Sequence, residues 1–173
     1  IVFTPESIGE TDWLNADQET LNFSLDTFAL APDGSQIAAV SDISSIVETD
    51  AGRDRFRDTF MCLYRFDDAQ WTCQLMPSTG DEPGFIRSVA LYWSPDSRYV
   101  AGTEDFYTRL IEPDIWIYEV ETGTILNRTD DGVIGDLFDV MPDTLVDILP
   151  TWNPANNDLF FFRYTGLGQE SDE

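Results

Sequence analysis

Residues 90–105 read "ALYWSPDSRYVAGTED", two short apolar runs on either side of a Ser-Pro-Asp-Ser stretch. Pro95 fixes its own φ near the value that the second position of a type I turn needs, Asp96 suits the third, and small Ser97 follows. The flanking runs, Ser88 to Trp93 and Tyr99 to Thr103, are rich in Val, Tyr, Leu and Trp, so the stretch reads as a β-hairpin. Its apolar residues do not alternate cleanly with polar ones, which implies a sheet covered on both faces.

The pattern recurs. "FALAPDGSQIAAVSD", Phe28 to Asp42, sets Pro32, Asp33 and Gly34 where Pro95, Asp96 and Ser97 stand, with Leu30 in place of Trp93. "LPTWNPANNDLFFFRY", Leu149 to Tyr164, keeps Trp152 and Pro154, but Ala155 and Asn156 replace the Asp and Gly. Each of the first two copies is followed by two more strand-like runs: Thr59 to Phe66 with Gln70 to Met76, and Asp114 to Val120 with Ile125 to Arg128. The repeating unit is therefore four strands, at 26–31, 36–41, 59–66 and 70–76, then 87–93, 98–104, 114–120 and 124–128. A third unit begins with strands at 148–152 and 158–164. Trp93 and Trp152 are expected to be buried near equivalent turns.

A recurring four-stranded antiparallel unit that is apolar on both faces is the signature of a β-propeller blade. "APDGSQIAAVSD" and "WSPDSRYVAGTED…DIWIYEVETG" resemble the repeats of the TolB-like propellers, with their Trp-Ser-Pro-Asp-Gly turn and a later strand ending in a Gly turn. The resemblance covers roughly residues 25 to 165 and implies an all-β fold of radially stacked antiparallel blades. It does not single out an activity, because such propellers serve as scaffolds, as binding modules and as gating domains of peptidases.

The turn prolines Pro32, Pro95 and Pro154 are 63 and 59 residues apart, whereas a propeller needs about 4 to 8 blades of about 40 to 50 residues each. The expectation is an incomplete propeller of about two and a half blades, completed by further sequence or another chain; a start at Ile1 agrees with a trimmed or processed chain. An independent three-sheet domain is the alternative. The domain reading is 1–24 as an N-terminal segment, a strand of a preceding blade; 25–80 as the first blade, with an insertion at 43–58; 81–128 as the second; 129–147 as a linker, a short amphipathic helix or apolar loop; and 148–173 as the start of a third.

The insertion "ISSIVETDAGRDRFRD" holds Arg53, Arg55 and Arg57, three of nine basic residues in a chain of net charge −24 that has no Lys. Either they neutralise neighbouring Asp50, Asp54 and Asp58, or they contact an acidic protein partner. So acidic a chain lacks the basic footprint that nucleic acid or anionic lipid requires. No run approaches the ~18 apolar residues of a membrane span, so no membrane insertion is expected in this segment.

With no His and no Lys, the chain carries no Ser-His-Asp or Cys-His arrangement, no His-ligated metal site and no Schiff-base lysine. Carboxylate pairs remain, at Asp67/Asp68, Asp81/Glu82, Glu104/Asp105 and Asp130/Asp131. They read as turn solvation, or as general acid/base groups or calcium ligands. Asp130, Asp131 and Asp136 in "DDGVIGD" are the calcium candidates, and no other cofactor is expected. Asn22 and Asn127 match the N-glycosylation pattern.

Cys62 and Cys73 lie equidistant from a turn centred on Asp67–Asp68, so they are expected to face each other across a hairpin as a disulfide, the alternative being two buried thiols. A disulfide implies an oxidising compartment: periplasmic, cell-surface or extracellular. The functional expectation is a non-catalytic protein-interaction or structural module of the cell envelope or exterior, taking a protein partner or assembling with itself. The alternative is the propeller portion of a larger secreted hydrolase, acting on peptide or glycan.

Overall fold

The structure, a computed structural model, describes residues 21–49, 52–76, 90–103, 114–130 and 145–165; for 21–26, 42–49, 52–58 and 165 it describes the backbone alone. The chain divides into two compact units, residues 1–85 and 86–173. Every regular element among the described residues is a β-strand and every pairing is antiparallel.

The first unit holds one sheet of four strands in sequence order, β1 (Leu21–Leu30), β2 (Gln36–Thr49), β3 (Gly52–Arg65) and β4 (Gln70–Leu75). Its core is Ala38, Ala39 and Val40 of β2 against Phe60, Met61, Cys62 and Leu63 of β3, all buried. Consecutive buried residues point to opposite faces of a strand, so both faces of the sheet are covered here. At about 1.5–3 kcal/mol for a large apolar side chain, Phe60 and Met61 are its chief apolar anchors.

The second unit holds a four-stranded sheet, β5 (Leu91–Trp93), β6 (Tyr99–Thr103), β7 (Ile115–Glu119) and β8 (Thr124–Asn127), and a hairpin, β9 (Leu145–Trp152) with β10 (Leu159–Thr165). Val100, Ala101, Ile115, Trp116 and Tyr118 form its core, joined by Val146 of β9. The covering of both faces implied by "YVAGT" and "IWIYE" is thus present.

Three expected boundaries move. The 43–58 segment is not an insertion between strands: β2 and β3 run on into it as a ribbon, paired from Ile43 with Asp58 to Thr49 with Gly52, with β1 alongside as far as Ser45; residues 50–51 lie outside the described residues. Its Ile, Val and Thr residues suit extended backbone, and a partner strand lies directly opposite. The ribbon in turn gives β1 a longer ladder. Residues 21–24 pair with 42–45 and belong to this sheet rather than to a preceding one, with a bulge between Leu25 and Thr27. The third strand pair starts earlier than expected, at Leu145, so 145–147 of the expected linker is strand; residues 131–144 lie outside the described residues.

Candidate functional site

The three proline turns share a length. Ala31, Ser94 and Asn153 each donate a backbone N–H to the carbonyl five residues on, at Gln36, Tyr99 and Asp158. In the first two the turn itself closes three residues on, Gly34 N–H to Ala31 O and Ser97 N–H to Ser94 O, both 2.9 Å. Pro32 and Pro95 therefore hold the second position and Asp33 and Asp96 the third. The closing residue takes a left-handed φ, +73° at Gly34 and +59° at Ser97. In the third copy the bond runs four residues, from Asn157 N–H to Asn153 O, and Asn157 at φ +58° becomes the left-handed residue. Asparagine tolerates that region better than most residues, so the loss of the Asp-Gly pair after Pro154 shifts the turn by one residue and preserves its span.

The aspartates tie the turns down. Asp33 Oδ1 accepts from the Ser35 amide and hydroxyl. Asp96 Oδ1 accepts from the Ser94 hydroxyl at 2.7 Å and the Arg98 amide at 3.2 Å, while Ser94 Oγ accepts from the Tyr99 amide. Partial burial pushes the Asp96 carboxyl up, but the Ser94 hydroxyl, the Arg98 amide and the Arg98 charge together hold it below its ordinary value.

In the second unit two of these turns meet. Asn157 Nδ2 donates to Asp96 Oδ2 at 2.7 Å, Trp152 Nε1 donates to the Tyr92 carbonyl at 2.9 Å, and the Trp152 ring stacks on Tyr99 at 6.1 Å between centroids. Arg98 lies over the other partner of that stack, 5.6 Å from the Tyr99 ring centre. Trp93 is buried, whereas Trp152 is half-buried, its indole spanning from its own hairpin to the neighbouring sheet.

Of the calcium candidates, only Asp130 lies among the described residues. Asp130 is exposed, and its amide is bound by Asn127 Oδ1; Asp131 and Asp136 lie outside the described residues. Among the described residues no group of three or more His, Cys, Asp or Glu is placed to hold a metal ion. Asn127 is instead part of a latch: its Nδ2 donates to Asp114 Oδ2, and Thr129 Oγ1 donates to Asp114 Oδ1 while accepting from the Ile115 amide. Thr129 is buried and the Asn127 amide is committed, so this glycosylation match is a structural knot. Of the acidic pairs, Asp67/Asp68 occupies the β3–β4 turn, where Asp68 is salt-bridged to Arg65. Asp81/Glu82 and Glu104/Asp105 lie outside the described residues.

Cys62 and Cys73 are disulfide-bonded and directly opposed in the β3–β4 ladder, their Cα atoms 4.1 Å apart. Met76 N–H bonds Thr59 O, and alternation from that pair makes Cys62/Cys73 a non-hydrogen-bonded pair, the position where side chains come closest. The bond is compatible with an oxidising environment. Arg53, Arg55 and Arg57 sit on the ribbon across from Glu48, Ile46 and Ser44. Strand alternation assigns these positions to the face opposite that of Asp54 and Asp58, so on the arginine face the opposed acidic position is Glu48.

Sequence reasoning missed the buried carboxylate. Asp147, 1% exposed, receives a bidentate pair of bonds from Arg163 Nε and Nη2 across the β9–β10 ladder. A bulge near Pro150, with Leu149 at φ +57°, displaces this pair from the register set at the turn. Pro150 was its signal, since a proline inside a strand marks an edge or a bulge. No protein-family model matches the chain, and no characterised protein matches it in sequence.

Proposed function

We propose that this chain is a non-catalytic protein-interaction or structural module of the cell envelope or extracellular space, built as consecutive blades of a TolB-like β-propeller. The observation that carries the reading is the way the third repeat seats on the second: its Trp152 and Asn157 reach the backbone and turn of the preceding copy at Tyr92 and Asp96. Repeats packed through matching positions at the same end are what blades around an axis require. Such an array is a scaffold whose loops and edges are presented to partners, with the β2–β3 ribbon and its arginine positions as the element offered to an acidic protein.

The carboxylates of Asp33, Asp68, Asp96, Asp114 and Asp147 are engaged in turns, latch or ladder. Carboxylates held in this way are poorly placed for acid/base work. The Cys62–Cys73 bond supports an oxidising compartment. Two measurements test the proposal. Purified chain should hydrolyse neither peptide nor glycan substrates; turnover abolished by a single Asp→Asn change would overturn it. Non-reducing peptide mapping of protein from its native source should recover Cys62 linked to Cys73, and two free thiols there would remove the case for an extracytoplasmic location.

A further inference from the structure

We infer that the outer edge of β3 at residues 53–57 takes one extended strand of a partner protein, with acidic residues at alternate positions of that strand set opposite Arg53, Arg55 and Arg57. The inference rests on the reading above of the ribbon as the element offered to an acidic protein, and it names the form in which that partner binds. Among the described residues, no strand pairs with β3 between 52 and 58 on the side away from β2. The β3–β4 ladder starts at Phe60 with Leu75 and is extended only by the bond from Met76 N–H to Thr59 O. Pro77 comes next in the chain and has no N–H to add to it.

The ladder also assigns the backbone groups that this edge displays. In an antiparallel strand, successive residues direct their N–H and C=O to alternate neighbours. Thr59 bonds towards β4, so the odd-numbered residues of β3 direct theirs to that side and the even-numbered ones to β2. The β2–β3 register runs without a break from Gln36 with Arg65 to Thr49 with Gly52, so the alternation holds along the ribbon. The edge groups at 53–57 therefore belong to Arg53, Arg55 and Arg57, the same three residues that share one face. A strand laid on this edge hydrogen-bonds to those residues and sets its own Cβ atoms about 5 Å from theirs, at a repeat of about 6.8 Å along the strand. Opposite charges paired in this way stabilise a sheet. Within the ribbon Arg53 stands opposite Glu48, but Arg55 and Arg57 stand opposite Ile46 and Ser44, so two of the three cationic positions have no acidic residue across the β2 ladder.

The charge pattern selects the occupant. Antiparallel pairing opposes residues of the same face, so a second copy of this edge would set arginine against arginine, an arrangement that destabilises a sheet and guards an edge against self-pairing. A strand with carboxylates at every second residue meets no such penalty. The net charge of −24 repels it at a distance, but the Debye length is about 8 Å near 0.15 M salt, which screens distant charges and spares pairs about 5 Å apart.

Fluorescence polarisation with the whole chain near 0.15 M salt tests this, using an end-labelled peptide Thr-Glu-Val-Glu-Val-Glu-Thr and a control of the same composition with its acids contiguous, Thr-Val-Glu-Glu-Glu-Val-Thr. Saturable binding, about tenfold tighter for the alternating peptide, is expected. Arg55→Glu should weaken it about tenfold or more and Arg55→Gln a few-fold, whereas Arg128→Gln, the same charge change at an exposed arginine of the second unit, should leave it unchanged. Circular dichroism checks that the variants fold. Hydrogen exchange supplies a second readout on the unmodified chain: the amides of Arg53, Arg55 and Arg57 should gain protection when the peptide binds, while those of Asp54, Phe56 and Asp58 are protected beforehand by β2. Absence of saturable binding overturns the inference, and so does equal affinity for the two peptides, which means charge attraction without a strand. Protection of the three arginine amides in the peptide-free chain overturns it too, because the edge is then already paired, by a second copy if the chain also sediments as a dimer. Each of these results leaves the non-catalytic reading standing. That reading falls separately, to hydrolysis of peptide or glycan that a single Asp→Asn change abolishes, whatever the labelled peptide does.

Discussion

The first two sheets hold different chemistry at one position of the same frame. Aligned on their proline turns, the row Phe28, Ala39, Cys62, Cys73 of the first sheet corresponds to Leu91, Gly102, Trp116, Asn127 of the second. Where the first closes its outer strand pair with a covalent bond, the second sets a buried tryptophan opposite an asparagine that is tied to Asp114. Gly102 is part of the same exchange, since the residue beside the indole has no side chain, whereas Ala39 lies beside the compact disulfide. The frame specifies strand order and register, and the closure of the outer pair is free to be covalent or packed.

The packed closure breaks hardest. Trp116 is 2% exposed, so Trp116→Ala should cost about 3–5 kcal/mol, the range for emptying a large aromatic site. Trp116→Phe should cost much less, because the indole Nε1 makes no hydrogen bond and only volume is lost. Chemical denaturation of the variants measures both, and equal costs would show that the indole nitrogen has a partner after all.

The covalent closure comes next. Cys62 and Cys73 are separated by 11 residues, and a loop that short contributes about 2–3 kcal/mol through the unfolded chain. The Cys62→Ala/Cys73→Ala variant should lose that much in guanidinium denaturation, and reductant should move the wild-type midpoint and leave the variant's unchanged. A reductant-insensitive wild type would mean that the bond contributes nothing to stability.

These two closures were unequally legible in the sequence. Cys62 and Cys73 declare themselves because a turn residue pair sits midway between them and two cysteines have one way to pair. The Asp114, Asn127 and Thr129 latch does not, since acidic and amide residues are frequent in this chain and nothing in their spacing separates a latch from solvation. Strand order and the turns could be read from Pro32, Pro95 and Pro154, whose conformational demands are local. The β2–β3 ribbon was hidden by its charges: Glu48, Arg53, Asp54 and Asp58 suggest a solvated loop, while the extended pairing depends on a strand directly opposite, a non-local fact. The apolar outer face of β10 was masked differently. "LFFFRYT" reads as buried strand, and only packing reveals which of its faces remains open.

A smaller effect sharpens the comparison at the turns. Gly34 and Ser97 hold the same left-handed position, and a Cβ at Gly34 would meet nothing within 4 Å. Gly34→Ala should therefore cost about 1 kcal/mol from backbone strain alone. The reverse change, Ser97→Gly, should gain about 0.5 kcal/mol, the relief being partly offset by the greater freedom of glycine in the unfolded chain. Thermal unfolding of the pair should show shifts of opposite sign; shifts of the same sign would mean that the two turns are not equivalent.

The smallest effect belongs to the Asp96 carboxyl, which closes the second turn and receives Asn157 from the third. Desolvation raises its pKa, but the hydrogen bonds from Ser94 and the Arg98 amide, with the Arg98 charge, more than reverse this and set the folded value below the ordinary 3.8. A carboxyl depressed on folding contributes stability that is fully present above the unfolded value and is lost as pH falls through the folded one. Acidification also relieves the repulsion within a chain of net charge −24, which acts in the opposite direction, so the informative quantity is a difference between two proteins. Asp96→Asn keeps an acceptor for the Ser94 hydroxyl and removes the charge. Wild type should be the more stable of the two near neutral pH, and their melting temperatures should converge as pH drops below about 4. Because Asp96 is exposed, the gap should be modest and should shrink with salt. A gap that stays constant from neutral pH down to acid would show that the depressed carboxyl takes no part in holding the turn.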